Sequence, residues 1–193
     1  MASYLAPGGE ARAEIREKGS RFLAVAGPAA DEAAARELLA SLEREFSDAT
    51  HQCWAWRLGE PPRERSADAG EPAGTAGMPI LQVLRGAGLS DVMAVVVRWF
   101  GGTKLGKGGL ARAYAAAARE ALQTLPVIHR VPTVRLTLEV PYEKVGAVKR
   151  LIRPPEVELE AEEYGAAARR VLVVHEERQE ALREALADLG VTP

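Results

Sequence analysis

Cysteine, histidine and long apolar stretches are all scarce in this chain of 193 residues. With a single cysteine, Cys53, the chain cannot form an internal disulfide, and three scattered histidines argue against a structural zinc site. The longest apolar run, Val92–Val97, is far shorter than the roughly 20 residues that span a bilayer, and Met1–Glu14 lacks the pattern of a signal peptide. We therefore expect a soluble, cytoplasmic protein with no metal, no cofactor and no membrane partner.

A strong net charge is also absent, since 25 basic residues stand against 27 acidic ones and give a net charge of -2. This balance excludes a general polyanion binder of the histone kind, so any basic surface must be local. One long window, Arg98–Arg119, contains cations and no acid. Its cations are Arg98, Lys104, Lys107, Arg112 and Arg119. We expect the function to depend on this window.

The composition, 47% hydrophobic and 27% charged, is that of an ordinary globular protein with a packed core. In the first two thirds of the chain, residue periodicity predicts both strands and helices. The predicted strands are Glu10–Glu17, Arg21–Ala26, Thr50–Leu58 and Met93–Phe100, the last of them covered on both faces. The predicted helices are Met78–Arg85, Leu110–Leu122 and one that Asp31 caps and that runs through Glu45. A long loop is predicted between Gly59 and Gly77.

The pattern restarts after Val131-Pro132-Thr133, which is typical of a linker. Beyond it the predicted strands are Val134–Val140, Val157–Tyr164 and Arg169–His175, with a helix from Tyr142 to Ile152 and another from Ala181 to Leu189. The order β-α-β-β-α is the ferredoxin-like split pattern with its last strand short or absent. The sequence thus predicts an α+β protein with two domains, residues 1–130 and 134–193.

A glycine-rich segment, Gly101–Gly109, lies between the predicted strand Met93–Phe100 and the helix that starts at Leu110. The amides and the positive dipole end at such a helix N-terminus favour an anion. Gly108 stands where a P-loop needs Ser or Thr, which disfavours an NTPase. The candidate anion-binding residues here are Gly101, Gly102, Lys104, Gly106, Lys107 and Gly109. The alternative, that the glycines only allow a tight turn, stays equally open.

Arg112 and Arg119 lie seven residues apart and therefore on one face of the predicted helix, opposite Tyr114, which we expect to be buried. Two arginines alone would indicate an ordinary solvated face. Together with Arg98, Lys104 and the other cations of the window, they indicate a contact surface for a phosphate backbone.

The segment Ser66–Gly77 combines carboxylates, hydroxyls and glycines, its candidate residues being Ser66, Asp68, Glu71 and Thr75. It could perform acid/base chemistry or bind a polar ligand, with His51 as a further catalytic candidate. The simpler interpretation is that Asp68 closes a turn, Glu71 lies near a helix dipole and Thr75 caps that helix. His51 and Cys53 share a strand face, but parallel side chains at this spacing do not favour a hydrogen bond between them.

Three motifs together resemble the YigZ/IMPACT family: His51–Ala55, the G-E-P-A-G-T-A-G core at Gly70–Gly77, and Val95–Leu110. The residues at motif positions are Asp68, Glu71, Arg98, Gly101, Gly102, Lys104, Gly106 and Gly109. The resemblance implies a first domain like the second domain of ribosomal protein S5, followed by a ferredoxin-like unit like domain V of elongation factor G. It also implies a role in translation, because eukaryotic relatives regulate translation and bacterial members have been suggested to bind nucleic acid or ribosomes.

The leading hypothesis is a non-enzymatic, translation-associated protein that binds RNA or the ribosome through the basic glycine-rich surface. One alternative is a hydrolase, acting on a peptide or a phosphorylated substrate, in which Asp68, Glu71 and His51 converge on a cleft. The other is a regulator that binds a protein partner without nucleic acid.

Overall fold

The structure is a computed structural model that describes residues 3–193, and its internal contacts divide the chain into two compact units, Tyr4–Arg130 and Val131–Pro193. The strands of the first unit are β1 (Tyr4–Pro7), β2 (Ala11–Glu17), β3 (Ser20–Pro28), β4 (His51–Leu58), β5 (Arg63–Ala67), β6 (Val92–Trp99) and β7 (Val127–Arg130). Its helices are α1 (Glu32–Glu45), α2 (Gly77–Gly86) and α3 (Gly106–Gln123).

The first unit is built on a five-stranded antiparallel sheet in the order β2-β3-β6-β4-β5. Successive residues of a strand point to opposite faces, so one face packs on α1 through residues such as Val95, and the other packs on α2 and α3 through residues such as Val96. Every residue of β6 except its last is buried, which confirms a strand covered on both faces. Strands β1 and β7 form a separate antiparallel pair.

The first residues of two helices in this unit can be compared with the sequence predictions. Asp31 begins α1 as predicted, because its carboxylate accepts a hydrogen bond from the Ala34 amide at 2.8 Å. The prediction that α3 starts at Leu110 is wrong, since the helix begins at Gly106. The four residues Gly106–Gly109 therefore form its first turn and are not part of the preceding loop.

The predicted loop between Gly59 and Gly77 is also wrong in part, because Arg63–Ala67 forms β5. This strand pairs with β4 in a register from Trp54 opposite Ala67 to Leu58 opposite Arg63. Its polar composition gave no strand signal, and its hydrogen bonds to β4 define it instead.

The second unit contains β8 (Thr133–Val140), α4 (Val145–Lys149), β9 (Val157–Tyr164), β10 (Ala168–His175) and α5 (Gln179–Asp188). Its sheet has the order β8-β10-β9 with antiparallel pairs, so the chain follows the predicted β-α-β-β-α order. The core on one sheet face includes Leu138, Leu172 and Leu186. The helix predicted from Tyr142 to Ile152 is shorter than expected, with a 3-10 turn at Tyr142–Lys144 leading into α4.

Within residues 3–193, none of the helices combines the length and the apolar character that crossing a membrane requires. The same residues include no cluster of three or more His, Cys, Asp or Glu side chains placed to hold a metal ion.

Candidate functional site

A row of three side chains crosses one end of the first unit's sheet, on the face that α3 covers. The strand register places Arg98 of β6 opposite Phe22 of β3 on one side and opposite His51 of β4 on the other. Arg98 has the same strand parity as the buried Val96, so its side chain enters the layer between the sheet and α3. The row therefore presents a cation inside the domain.

Glu71, from the loop between β5 and α2, is the counter-ion of Arg98. Their side chains are only 3% and 6% exposed, and Arg98 Nη1 donates to Glu71 Oε1 at 2.5 Å. The same oxygen accepts a hydrogen bond from the Tyr114 hydroxyl at 2.8 Å, while His51 Nε2 lies 4.0 Å from it. Arg98 Nη2 donates to Ser20 Oγ at 3.3 Å. These five residues are named the buried polar cluster below.

The cluster corrects the prediction that Arg98 contributes to an exposed anion-binding surface, because this side chain is buried and ion-paired. The sequence interval between Arg98 and Glu71 gives no sign of this pairing, which the antiparallel sheet and the loop over its end bring about. Tyr114 is buried as expected, and its ring meets the Phe22 ring edge-on at 5.2 Å between centroids. Its hydroxyl was not foreseen as a partner of Glu71.

Asp68 holds the loop that carries Glu71 through backbone amides. Its carboxylate accepts hydrogen bonds from the amides of Gly74, Ala76 and Gly77 at 2.8 to 2.9 Å. Burial alone would raise the pKa of Asp68, but these three donors outweigh it and hold the pKa below the ordinary value. Asp68 therefore satisfies the open start of α2, as a turn-closing residue would, and its oxygens are occupied.

His51 and Cys53 bond to successive carbonyls of the same loop. The Cys53 thiol donates to the carbonyl oxygen of Asp68 at 2.9 Å, and burial raises the pKa of this thiol to about 12. His51 Nδ1 lies 3.0 Å from the carbonyl oxygen of Ala69, which can only accept, so Nδ1 carries the proton. Both side chains thus fasten the loop to β4, as two neighbours on one strand face can.

The remaining two loop candidates have local roles. Thr75 Oγ1 donates to the Pro72 carbonyl at 2.6 Å and closes a turn, so the expectation that Thr75 caps α2 is wrong. Ser66 lies in β5, where its hydroxyl is 3.7 Å from Met78 Sδ. The four sequence candidates of this segment therefore bond to separate partners within the protein.

Gly101 is a point of close backbone approach. A Cβ placed on it would lie 1.9 Å from the Gly19 carbonyl carbon, so only glycine fits against the turn between β2 and β3. The Gly101 amide donates to Ser20 Oγ at 3.2 Å. Gly102 and Gly106 have φ values of +87° and +72°, which other residues rarely adopt. At these positions the structure supports the simpler interpretation, that glycine allows the turn.

Four cations of the acid-free window are exposed: Lys104, Lys107, Arg112 and Arg119. None of them has an ion-pair or hydrogen-bond partner within residues 3–193, in contrast to Arg98. The turn between β2 and β3 adds a fifth exposed cation, Lys18, which lines one cavity together with Arg112. The sequence did not single out Lys18, which is far from the window along the chain. These five cations are named the basic surface below.

Three cavities show which of these residues border open space. One of about 560 Å³ between α2 and α3 includes Arg119 in its lining, and one of about 300 Å³ beside β2 and α3 includes Arg112. The third, of about 260 Å³, lies in the second unit. Asp68, Glu71 and His51 line none of these three, so the predicted hydrolytic cleft is not among them.

Both units of the chain match known protein families. The family model described as the Impact N-terminal domain matches residues 18–122, and a domain of unknown function (DUF1949) matches residues 138–190. An IMPACT family member of Haemophilus influenzae is 34% identical over 97% of this chain and 93% of its own length. The IMPACT family member YigZ of Escherichia coli is 36% identical over 79% of this chain and 76% of its own.

Solved structures give a similar result. A crystal structure of a hypothetical protein aligns with 98% of this chain and 93% of its own, with a TM-score of 0.77 and 31% identity. A structure of the two-domain translational regulator Yih1 aligns with 60% of this chain and 46% of its own, with a TM-score of 0.42 and 29% identity. The first of these similarities extends over both units.

Proposed function

Since this chain belongs to the IMPACT family, we propose that it acts in translation control, binds RNA or the ribosome and catalyses no reaction of its own. The basic surface is the proposed contact. Family membership supports the translational part of the proposal, because the shared motifs resemble those of eukaryotic translation regulators. The exposed cations support the RNA part.

The observation that carries the proposal is that the cations of the basic surface have no carboxylate partners. Several exposed arginines elsewhere in the first unit are paired, as Arg12 is with Glu45 and Arg85 with Glu64, whereas Arg44 and Arg65, within the described part of the chain, stand singly among acid-bearing segments. Lys104, Lys107 and Arg112 have no such pair within residues 3–193. A phosphate can therefore approach them without breaking an existing ion pair, and each contact releases counterions from the nucleic acid.

The start of α3 adds donors to the same surface. No side chain caps this helix, and no acid occupies its first turn. The amides of its glycine-rich first turn, Gly106–Gly109, therefore lack a side-chain acceptor at the positive end of the helix dipole. Lys107 lies in that turn, and Lys104 precedes it. Cations and amides together suit the oxygens of a phosphate backbone.

The hydrolase alternative has less support, because its carboxylates already have partners. The Asp68 carboxylate accepts hydrogen bonds from three backbone amides, and the Glu71 carboxylate accepts hydrogen bonds from Arg98 and Tyr114. A general base must also lie within hydrogen-bond reach of the proton that it takes, and the Glu71 side chain is only 3% exposed. We assign both carboxylates to holding the loop and the sheet together.

Charge reversal tests the proposal. Lys104→Glu and Arg112→Glu should each weaken binding to a fluorescently labelled single-stranded fragment of ribosomal RNA, measured by anisotropy over a range of salt concentrations. The slope of log affinity against log salt should decrease by about 0.7 for every phosphate that the variant no longer neutralises. Arg44→Glu is the matched control, because Arg44 is exposed at the end of α1, on the opposite face of the sheet.

Binding that is undetectable, insensitive to salt or equally weakened by Arg44→Glu would contradict the proposal. Capture of partners from lysate before and after nuclease treatment tests the protein-partner alternative. Partners that persist after the nuclease would favour a regulator that works through protein contacts alone.

A further inference from the structure

A cavity of about 300 Å³ lies where the end of β2 meets the solvent side of α3. Its wall combines apolar side chains with three charged ones. The apolar residues are Ile15, Leu105, Ala113 and Ala116, the charged residues are Glu17, Lys18 and Arg112, and Gly109 completes the lining. This volume is at the lower end of small-molecule sites, which suits one small planar group and not an extended ligand.

Most residues that line this cavity belong to β2 or α3. Ile15 and Glu17 are two residues apart on β2 and therefore point to the same side, toward α3. Arg112 and Ala116 are one turn apart on α3. Lys18 is held in the turn after β2, which packs against the backbone of Gly101 through Gly19. The backbone positions of the three charged residues are therefore set by the fold before any ligand arrives.

The charge pattern of the wall differs from that of a simple phosphate site. Lys18 and Arg112 are exposed cations with no ion-pair partner within residues 3–193, and they can hold a phosphate oxygen. Glu17 is exposed and would repel a second phosphate, so the wall favours a ligand that carries hydrogen-bond donors beside its phosphate. A nucleotide supplies all three kinds of group: a phosphate for the cations, a planar base for the apolar wall, and N–H donors for the carboxylate.

We infer that this cavity binds one unstacked guanine nucleotide of single-stranded RNA, an inference that rests on the proposed function. The phosphate lies against Lys18 and Arg112, and the base lies against Ile15 and Leu105. Guanine offers two adjacent N–H donors on its Watson–Crick edge, which match the two oxygens of the Glu17 carboxylate. Uracil offers one donor between two carbonyl oxygens, which the carboxylate repels.

The experiment compares two labelled oligomers, a short oligouridine and the same oligomer with one central guanosine, in anisotropy titrations at low salt. The measured quantity is the ratio of the two affinities, so a loss of affinity that is equal for both oligomers leaves the ratio unchanged. The natural protein should prefer the guanosine oligomer by about tenfold, the order expected for one bidentate contact. Glu17→Gln should bring this ratio close to one, because it replaces one of the two acceptors with a donor.

Filling the cavity gives a second test that leaves every charge in place. Ala116→Leu should abolish the preference, because the larger side chain occupies the space of the base. Ala115→Leu is the matched control, since Ala115 directly precedes Ala116 in α3 and lines the other cavity, between α2 and α3. This control should keep the preference of the natural protein.

The outcomes separate the guanine site from the proposed function. If oligouridine binds in a salt-dependent way and Lys104→Glu weakens it, but guanosine adds nothing, the guanine site is overturned and the proposed function stands. The same follows if Ala115→Leu and Ala116→Leu change the ratio equally. If neither oligomer binds the natural protein, the proposed function and the guanine site both fail.

Discussion

Removal of the Glu71 charge is the sharpest test of the buried polar cluster. Glu71→Gln keeps the shape of the side chain and an acceptor for the Tyr114 hydroxyl, but it leaves Arg98 as an uncompensated charge with a side chain only 6% exposed. Loss of one partner from a buried ion pair costs about 3 to 5 kcal/mol. We expect Glu71→Gln near the lower end of this range, and Glu71→Ala near the upper end because it also removes the acceptor for Tyr114.

Urea unfolding followed by tryptophan fluorescence measures this cost. All three tryptophans, Trp54, Trp56 and Trp99, belong to the unit Tyr4–Arg130, so the signal reports unfolding of that unit. The free energy of unfolding in water comes from linear extrapolation, and an unchanged slope shows that the unfolded state is comparable.

A double-mutant cycle shows whether the cost arises from the pair. Arg98→Met removes the cation, and Arg98→Met with Glu71→Gln removes both charges. The double variant should be less destabilised than the sum of the two single variants by at least about 1 kcal/mol, because neither charge is then left buried alone. Additive effects would refute this reasoning. A gain in stability for Glu71→Gln would indicate instead that Glu71 is held strained for catalysis.

Two further measurements address the loop next to this cluster. Asp68→Asn should cost about 1 to 2 kcal/mol at neutral pH. The difference should shrink as the pH falls below about 4, because the stability from a lowered folded pKa is complete above the unfolded pKa near 3.9 and is lost as the pH falls through the folded pKa. A difference in the free energy of unfolding that is constant down to pH 3 would contradict this. Cys53, whose pKa is raised to about 12 by burial, should react with a thiol reagent at neutral pH only after unfolding in urea, and rapid labelling of the native protein would disprove its burial.

Local patterns in the sequence predicted several elements correctly because neighbouring residues determine them. The cap at Asp31, the buried run of β6 and the buried Tyr114 follow from a short side chain before a helix, from apolar continuity and from helical spacing. The start of α3 was missed because four residues rich in glycine have weak helix propensity, although in the structure they form the first turn of the helix.

The candidate site likewise includes features that the sequence predicted and one that only the structure revealed. The absence of acid around Lys104 and Arg112 was readable from the chain, and the structure leaves both side chains exposed. Arg98 belongs to the same window, yet its strand parity directs it inward to Glu71. A linear window records charge but not the face on which each charge lies, and the face decides whether a cation meets solvent or a buried carboxylate.

By itself, the sequence determined the α+β class, the element order of the second unit and the absence of acid from one window, since composition and periodicity are local properties. Tertiary structure alone decided that Arg98 pairs with Glu71 and that Lys18 lies beside Arg112 across a cavity. Each of these pairs joins side chains from elements far apart along the chain, and such pairs meet only when strand register and helix packing are fixed.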